Sequence, residues 1–182
     1  MSTHKLPGYG STLRTSKRLT EQAVRLVNRA VPGTMPDVEV VLTDERGMTD
    51  LMAAADLALT GATGDRRAAH RAARQAKRAA RESQACAMPR TDGSALILID
   101  MGKHPNPADF AVTIVHELVH AMQFGRKDAT ERLVRNLRDE LGIERQTRRQ
   151  AREFERYMRE DEAEAYGREY LAEQLVPAAR AA

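Results

Sequence analysis

Ala95-Leu96-Ile97-Leu98-Ile99 is an unbroken apolar run of strand length, bounded by Ser94 and Asp100. Successive strand residues point to opposite faces, so a run with no polar alternation calls for a strand covered on both sides. That requirement excludes a sheet with one face in water. The segment after it carries a clear helix start. Asn106 is a good N-cap, Pro107 suits the first helical position, and Asp109 falls in the electropositive first turn. The pattern predicts a helix from there to Phe124, with Gly125 as its stop.

The remaining elements follow from periodicity. Leu19, Ala23, Leu26, Val27 and Ala30 form a helical stripe over about Thr15 to Ala30. Val38 to Leu42 is rich in β-branched residues and reads as a strand. Helices are predicted over Thr49 to Leu59, over 65–85, over Ala129 to Leu141, and from about Arg145 to Leu175 before Pro177; Pro89 to Gly93 reads as a turn. In the 65–85 segment Ala69, Ala73, Ala76 and Ala80 are read as the packing face. The resulting order gives a mainly helical α+β class with a small sheet. There is no Trp, and Phe and Tyr total seven, so the core must be aliphatic.

Length and composition narrow the functional classes. A chain of 182 residues suits one domain able to bury a real core. Cys86 is the only cysteine, which excludes a disulfide framework and a cysteine-rich metal site. No apolar run approaches the ~20 residues of a bilayer span. Residues 1–10 lack the apolar core of a secretory signal, so the expected compartment is the reducing cytoplasm, with no membrane partner. The net charge of +3 is unevenly placed. Arg66, Arg67, Arg71, Arg74, Lys77, Arg78 and Arg81 put +7 into residues 66–81 with no acid among them, leaving −4 for the rest. A local rather than chain-wide nucleic-acid footprint is the most such a pattern allows.

His116-Glu117-Leu118-Val119-His120 lies inside the well-capped helix. Residues at i and i+4 stand one turn apart on one face, so two imidazoles can share one Zn²⁺. Glu117 leans toward the same side, where it can take a proton from a metal-bound water and return it to a leaving amine. A catalytic zinc keeps three protein ligands and one open position. His4, His70 and His104 all precede the motif, so an HExxHxxGxxH pattern is absent and the third ligand must be a downstream acid. The last helix offers Asp161, Glu162 and Glu164 beside an apolar stripe of Phe154, Tyr157, Met158, Ala165 and Leu175. Asp161 points nearest the centre of that stripe, and periodicity does not choose among the three.

HExxH followed about forty residues later by Glu162-Ala163-Glu164-Ala165 resembles the gluzincin metallopeptidases, among them the minigluzincins and the ImmA/IrrE-type peptidases. The resemblance covers about residues 94–176. It implies a zincin-like domain over residues 15–176, after a lead-in of 1–14 and before a tail of 177–182. Residues 66–85 would be an Ala/Arg-rich helical insertion. It implies one zinc per chain held by His116, His120 and Glu162, with Glu117 as general base and acid. It also implies a peptide or protein substrate, laid along an edge strand that precedes the active-site helix, here 95–99. Tyr166 stands where those groups have Asp or Asn supporting a zinc-binding histidine. Tyr157, Tyr166, Cys86 and His104 are read as scaffold. The alternative reading is a catalytically weak zinc-fold module that uses the helix at 66–81 to engage nucleic acid or an acidic partner.

Overall fold

A computed structural model describes residues 2–3 and 10–177. The chain folds as a mainly helical α+β domain: β1 (Ser2–Thr3), α1 (Gly10–Ala30), β2 (Val38–Thr43), α2 (Glu45–Thr60), α3 (Arg66–Glu82), β3 (Ala85–Pro89), β4 (Ala95–Asp100), α4 (Pro107–Phe124), α5 (Ala129–Glu140) and α6 (Arg148–Tyr166). Short 3₁₀ turns follow β4 (Met101–Lys103) and α6 (Glu169–Gln174). No helix among the described residues is long and apolar enough to cross a membrane.

The sheet order is β1-β2-β4-β3. β1, β2 and β4 run parallel, and β3 pairs antiparallel with β4. β4 is an inner strand buried at all six positions. Its alternation separates two cores. Ile97 and Ile99 join Val40 and Leu42 of β2 against α1 and α4, whose contributions include Leu19, Val27, Ile114 and Leu118. Leu96 and Leu98 join Val41 against Met48 and Met52 of α2 and Ala76 and Ala80 of α3. The sheet is thus sandwiched between two helical layers, which is why the run at 95–99 has no polar residue.

Four expectations are corrected. First, β4 is not an edge strand: both its edges are paired, and β3 holds the outer edge beside α4. β3 escapes a sequence reading because Ala85-Cys86-Ala87-Met88-Pro89 has no β-branched residue and ends in a proline, which a sheet tolerates only at an edge or a strand end. Second, α1 begins at Gly10, inside the stretch read as a lead-in; residues 4–9 lie outside the described ones, as do 178–182 of the tail. Third, the buried face of α3 is Ala68, Ala72, Ala76 and Ala80, while Ala73 is exposed. A strict i+4 row of methyl groups makes a shallow ridge that lets α3 lie close along α2. Fourth, the long C-terminal helix is two pieces. Thr147 starts α6 with a capping box to Gln150, and Gly167 ends it. The tighter turns that follow bury Glu169, Leu171 and Ala172.

One buried acid has no place in either core. Asp56 of α2 is 7% exposed. Burial, reinforced by Glu140 of α5, pushes its carboxyl up from 3.8 to about 7. Between about pH 4 and pH 7 the native chain therefore holds a proton that the unfolded chain releases, so stability falls as pH rises through that window. Asp56→Asn is expected to raise the thermal midpoint at pH 8, by no more than about 4 kcal/mol of added stability, with the gap closing by pH 4. Circular dichroism melts at the two pH values check this; an equal shift at both would show that the gain is not proton-linked.

Candidate metal centre

α4 is the most buried helix of the fold. Asn106 caps it, its side chain accepting from the N–H groups of Ala108 (2.9 Å) and Asp109 (3.0 Å). Ten of its residues, Phe110 to Gln123, are buried. His116, Glu117, His120 and Gln123 interrupt that apolar surface; His116, His120 and Gln123 recur at three to four residues, which keeps them on one face, and Glu117 stands beside them. α6 crosses opposite them and brings Glu162 into reach.

The three candidate ligands converge. His116 Nε2 and His120 Nε2 stand 3.1 Å apart. Glu162 places Oε2 at 3.5 Å from His116 Nε2 and Oε1 at 3.4 Å from His120 Nε2. Around a tetrahedral ion with bonds of about 2.1 Å, neighbouring ligand atoms stand about 3.4 Å apart. The observed separations fit that set, and two imidazoles with one carboxylate are suitable donors for a divalent metal. His116, His120 and Glu162 are the one group of this kind among the described residues.

The outer nitrogens explain the orientation of both rings. His116 Nδ1 lies 2.8 Å from Glu169 Oε1, and His120 Nδ1 lies 2.7 Å from Gln123 Oε1. Each partner oxygen accepts only, so both Nδ1 atoms carry the proton and both Nε2 atoms face inward with lone pairs. The Gln123 orientation is itself determined, because its Nε2 donates to the Asp161 carbonyl (2.9 Å) and to Glu164 Oε2 (3.0 Å). Two lone pairs facing one another at 3.1 Å need a cation between them. A proton serves in part. Burial alone would lower the His120 pKa, but the adjoining Glu162 and Glu117 carboxylates outweigh it and raise the value to about 8. The hydrogen bond from His120 holds Glu162 below the usual carboxylate range.

Glu117 is 7% exposed, and its Oε2 has no hydrogen-bond partner. Burial raises its pKa, against the opposing pull of His120 and His116. A buried carboxylate oxygen left unpaired in a cleft is a group awaiting a proton donor. That cleft has a volume of about 630 Å³ and holds His116, Glu117, His120 and Glu162 between β3 on one side and α5 and α6 on the other. Phe124, Leu133, Phe154 and Met158 form an apolar stretch of its wall.

The other candidates take different posts. Asp161, nearest the centre of the apolar stripe, is buried beside Arg126 at 3.2 Å. Glu164 is bound by Arg126 and Gln123. Neither faces an imidazole Nε2, so these two acids tie α6 to the end of α4. Tyr166 is 61% exposed and rests edge-on against His116, ring centroids 4.9 Å apart. Tyr157 lies under the Arg132 guanidinium. Cys86 is half-buried in β3 against the second core, and burial pushes its thiol pKa up, away from reactivity. His104 is buried, bonded to the Asp100 carbonyl (2.6 Å) and Thr113 Oγ1 (2.8 Å). His70 is exposed on α3, and His4 lies outside the described residues.

Sequence reasoning missed Gln123 and Glu169. Gln123 had a signal: it sits seven residues from His116 and three from His120 on an otherwise apolar helix. Glu169 lay seven residues beyond Glu162, two turns on, but only the chain break at Gly167 turns it inward.

Titrating the metal-free protein with Zn²⁺ is expected to raise its thermal midpoint, with saturation at one equivalent, and His116→Ala or Glu162→Ala is expected to remove the rise. Glu169→Gln and Gln123→Ala leave the ligand set intact and are expected to weaken metal affinity about 10–100-fold. Competition with a chromophoric chelator measures this; unchanged affinity in both would deny them any role in orienting the rings. The chain matches no family model, no curated protein and no solved structure, so the reading of this centre rests on its own geometry.

Proposed function

We propose that the protein is a zinc-dependent metallopeptidase of gluzincin type, one zinc per chain, acting on a peptide or protein substrate. His116, His120 and Glu162 hold the metal, and Glu117 is the general base and acid. The observation that carries this reading is the pairing of a three-donor cluster with a buried, unpartnered Glu117 oxygen in the same cleft. The single half-buried cysteine, which forms no disulfide, suits a reducing compartment such as the cytoplasm.

Bound at this site, zinc supplies Lewis acidity and lowers the pKa of a coordinated water toward ~7. Glu117 accepts the proton of the attacking water on Oε2, the oxygen without a partner, and delivers it to the departing amine. Its raised pKa favours the first of these transfers, because a more basic carboxylate takes up a proton more readily near neutral pH. Glu169 and Gln123 hold the two imidazoles with Nε2 inward, so no ring rotation is needed during the cycle. β3 offers an outer edge on the cleft wall, at Ala85, Cys86 and Ala87, to which an extended substrate can add as a further strand. Leu133, Phe154 and Met158 of α5 and α6 offer apolar contacts to substrate side chains on the far wall.

Glu117→Gln tests the assignment. The variant is expected to retain zinc and to lose hydrolysis of a mixed fluorogenic peptide library by about 10²–10⁴-fold. Wild-type rates in a zinc-loaded Glu117→Gln protein would sink the proposal.

A further inference from the structure

The basic face of α3 plays no part in the centre above, and its charges run against the helix that bears them. Arg66 and Arg67 occupy the first turn, where the helix dipole disfavours cations, and that turn has no acid. Arg67–Arg71, Arg74–Arg78 and Lys77–Arg81 are like-charged pairs at i and i+4, each costing about 0.2–0.5 kcal/mol. Elsewhere this chain relieves such costs with i,i+4 pairs to Glu, as at Arg135–Glu131 and Arg149–Glu153. On α3, among the described residues, only Arg78 and Arg81 form ion pairs, with Glu82 at 3.1 Å and Glu45 at 3.5 Å, all well exposed, while the Asp65 cap attracts Arg67 and Arg71. Arg66, Arg67, Arg74 and Lys77 extend into solvent with no ion pair among the described residues. The helix is held by its alanines, by the Asp65 cap and by its packing on α2 rather than by its surface.

The tertiary structure enlarges this face. Leu141 at the end of α5 packs against Ala68 and Ala72, and Arg71 Nη1 donates to its carbonyl at 2.6 Å. Gly142 has φ of 65°, and a Cβ there would collide with the Arg71 guanidinium. The connection into α6 is thereby pinned to the N-terminal half of α3, and it leads directly into Arg145, Arg148 and Arg152, all exposed. Again the first turn of α6 has no acid. Two segments some seventy residues apart in sequence therefore meet at Arg71 and Leu141, and Arg145 follows four residues after that contact.

We infer that this combined face binds the phosphate backbone of double-stranded nucleic acid, without reading its sequence. The chemistry favours phosphate over carboxylate because the cations are nearly all guanidinium forks, which take phosphate oxygens two at a time. The row from Arg66 to Arg81 is about 22 Å long, enough to follow a duplex backbone over several base pairs. No Phe, Tyr or Trp occurs in 60–90 or 141–153, so the face lacks the large aromatic platforms on which single-strand binders stack unpaired bases.

The test uses the full-length chain and a fluorescein-labelled 20-base-pair DNA duplex, followed by anisotropy. Binding at 50 mM salt is expected to weaken about 150- to 500-fold at 200 mM, as release of counterions from four or five phosphates requires. Arg67→Gln/Arg74→Gln/Lys77→Gln is expected to lose at least about 10-fold in affinity and to flatten the salt slope by about 2.7; Arg148→Gln/Arg152→Gln is expected to flatten it by about 1.8. These side chains are exposed and make no packing contact, and unchanged circular dichroism verifies the fold. Absence of binding at 50 mM salt, or equal binding by wild type and both variants, overturns the inference. Tighter binding of polyglutamate than of the duplex assigns the face to an acidic protein instead, and tighter binding of single-stranded DNA removes the duplex assignment.

Discussion

Two imidazole Nε2 atoms face each other at 3.1 Å on a buried helix and need a cation between them, with a carboxylate closing the third side. Left alone, that arrangement is unfavourable: lone pairs repel, and the low dielectric around α4 screens them poorly. A fold tolerates it only if the surrounding contacts over-determine the geometry. Here they do. Glu169 and Gln123 hold the outer nitrogens, the Asp161 carbonyl and Glu164 hold Gln123, and Arg126 holds both acids. Removing any one of these leaves a buried polar group without a partner, which costs more than the bond itself contributes.

The scaffold serves the same end. β4, buried on both faces, fixes the plane from which α4 departs, and α1 backs α4 along its apolar side. The rigid part of the molecule thus carries two ligands and the proposed base, while the third ligand comes from α6, which is buried only at Asp161 and Ala165. The polar network between α4 and α6 compensates for that sparse apolar contact. The wall of the cleft made by α5 and α6 is therefore joined to the centre through hydrogen bonds more than through packing, and the three candidate ligands span the two halves.

Much of this was legible in the residues. The continuous run at 95–99 announced a two-sided sheet, the Asn106-Pro107 start placed α4, and the spacing of His116, Glu117 and His120 put them on one face. Glu162 was reached only through a likeness of motif, because Asp161, Glu162 and Glu164 all lie beside the apolar stripe and periodicity does not choose among them. A helical wheel measures distance from the core and not which partner waits there; Arg126 waits for Asp161. β3 was invisible because a strand of Ala, Cys, Met and Pro is defined by its partner and not by its own propensity. The alanine face of α3 was misjudged by one residue for a related reason: alanines occur on several sides, and only contact with α2 selects the row that is buried.

Local chemistry therefore settled what depends on neighbours within a turn: helix caps, the ligand pair on α4, the apolar demand of β4 and the cationic row of α3. These are properties of spacing, and spacing is written in the chain. Tertiary structure alone decided which acid completes the triad, that Glu169 turns inward to hold His116, which strand owns the open edge, and that Arg71 of α3 pins the chain leading into α6. Each of these joins groups far apart along the chain, and no periodicity within one segment encodes which distant segment it will meet.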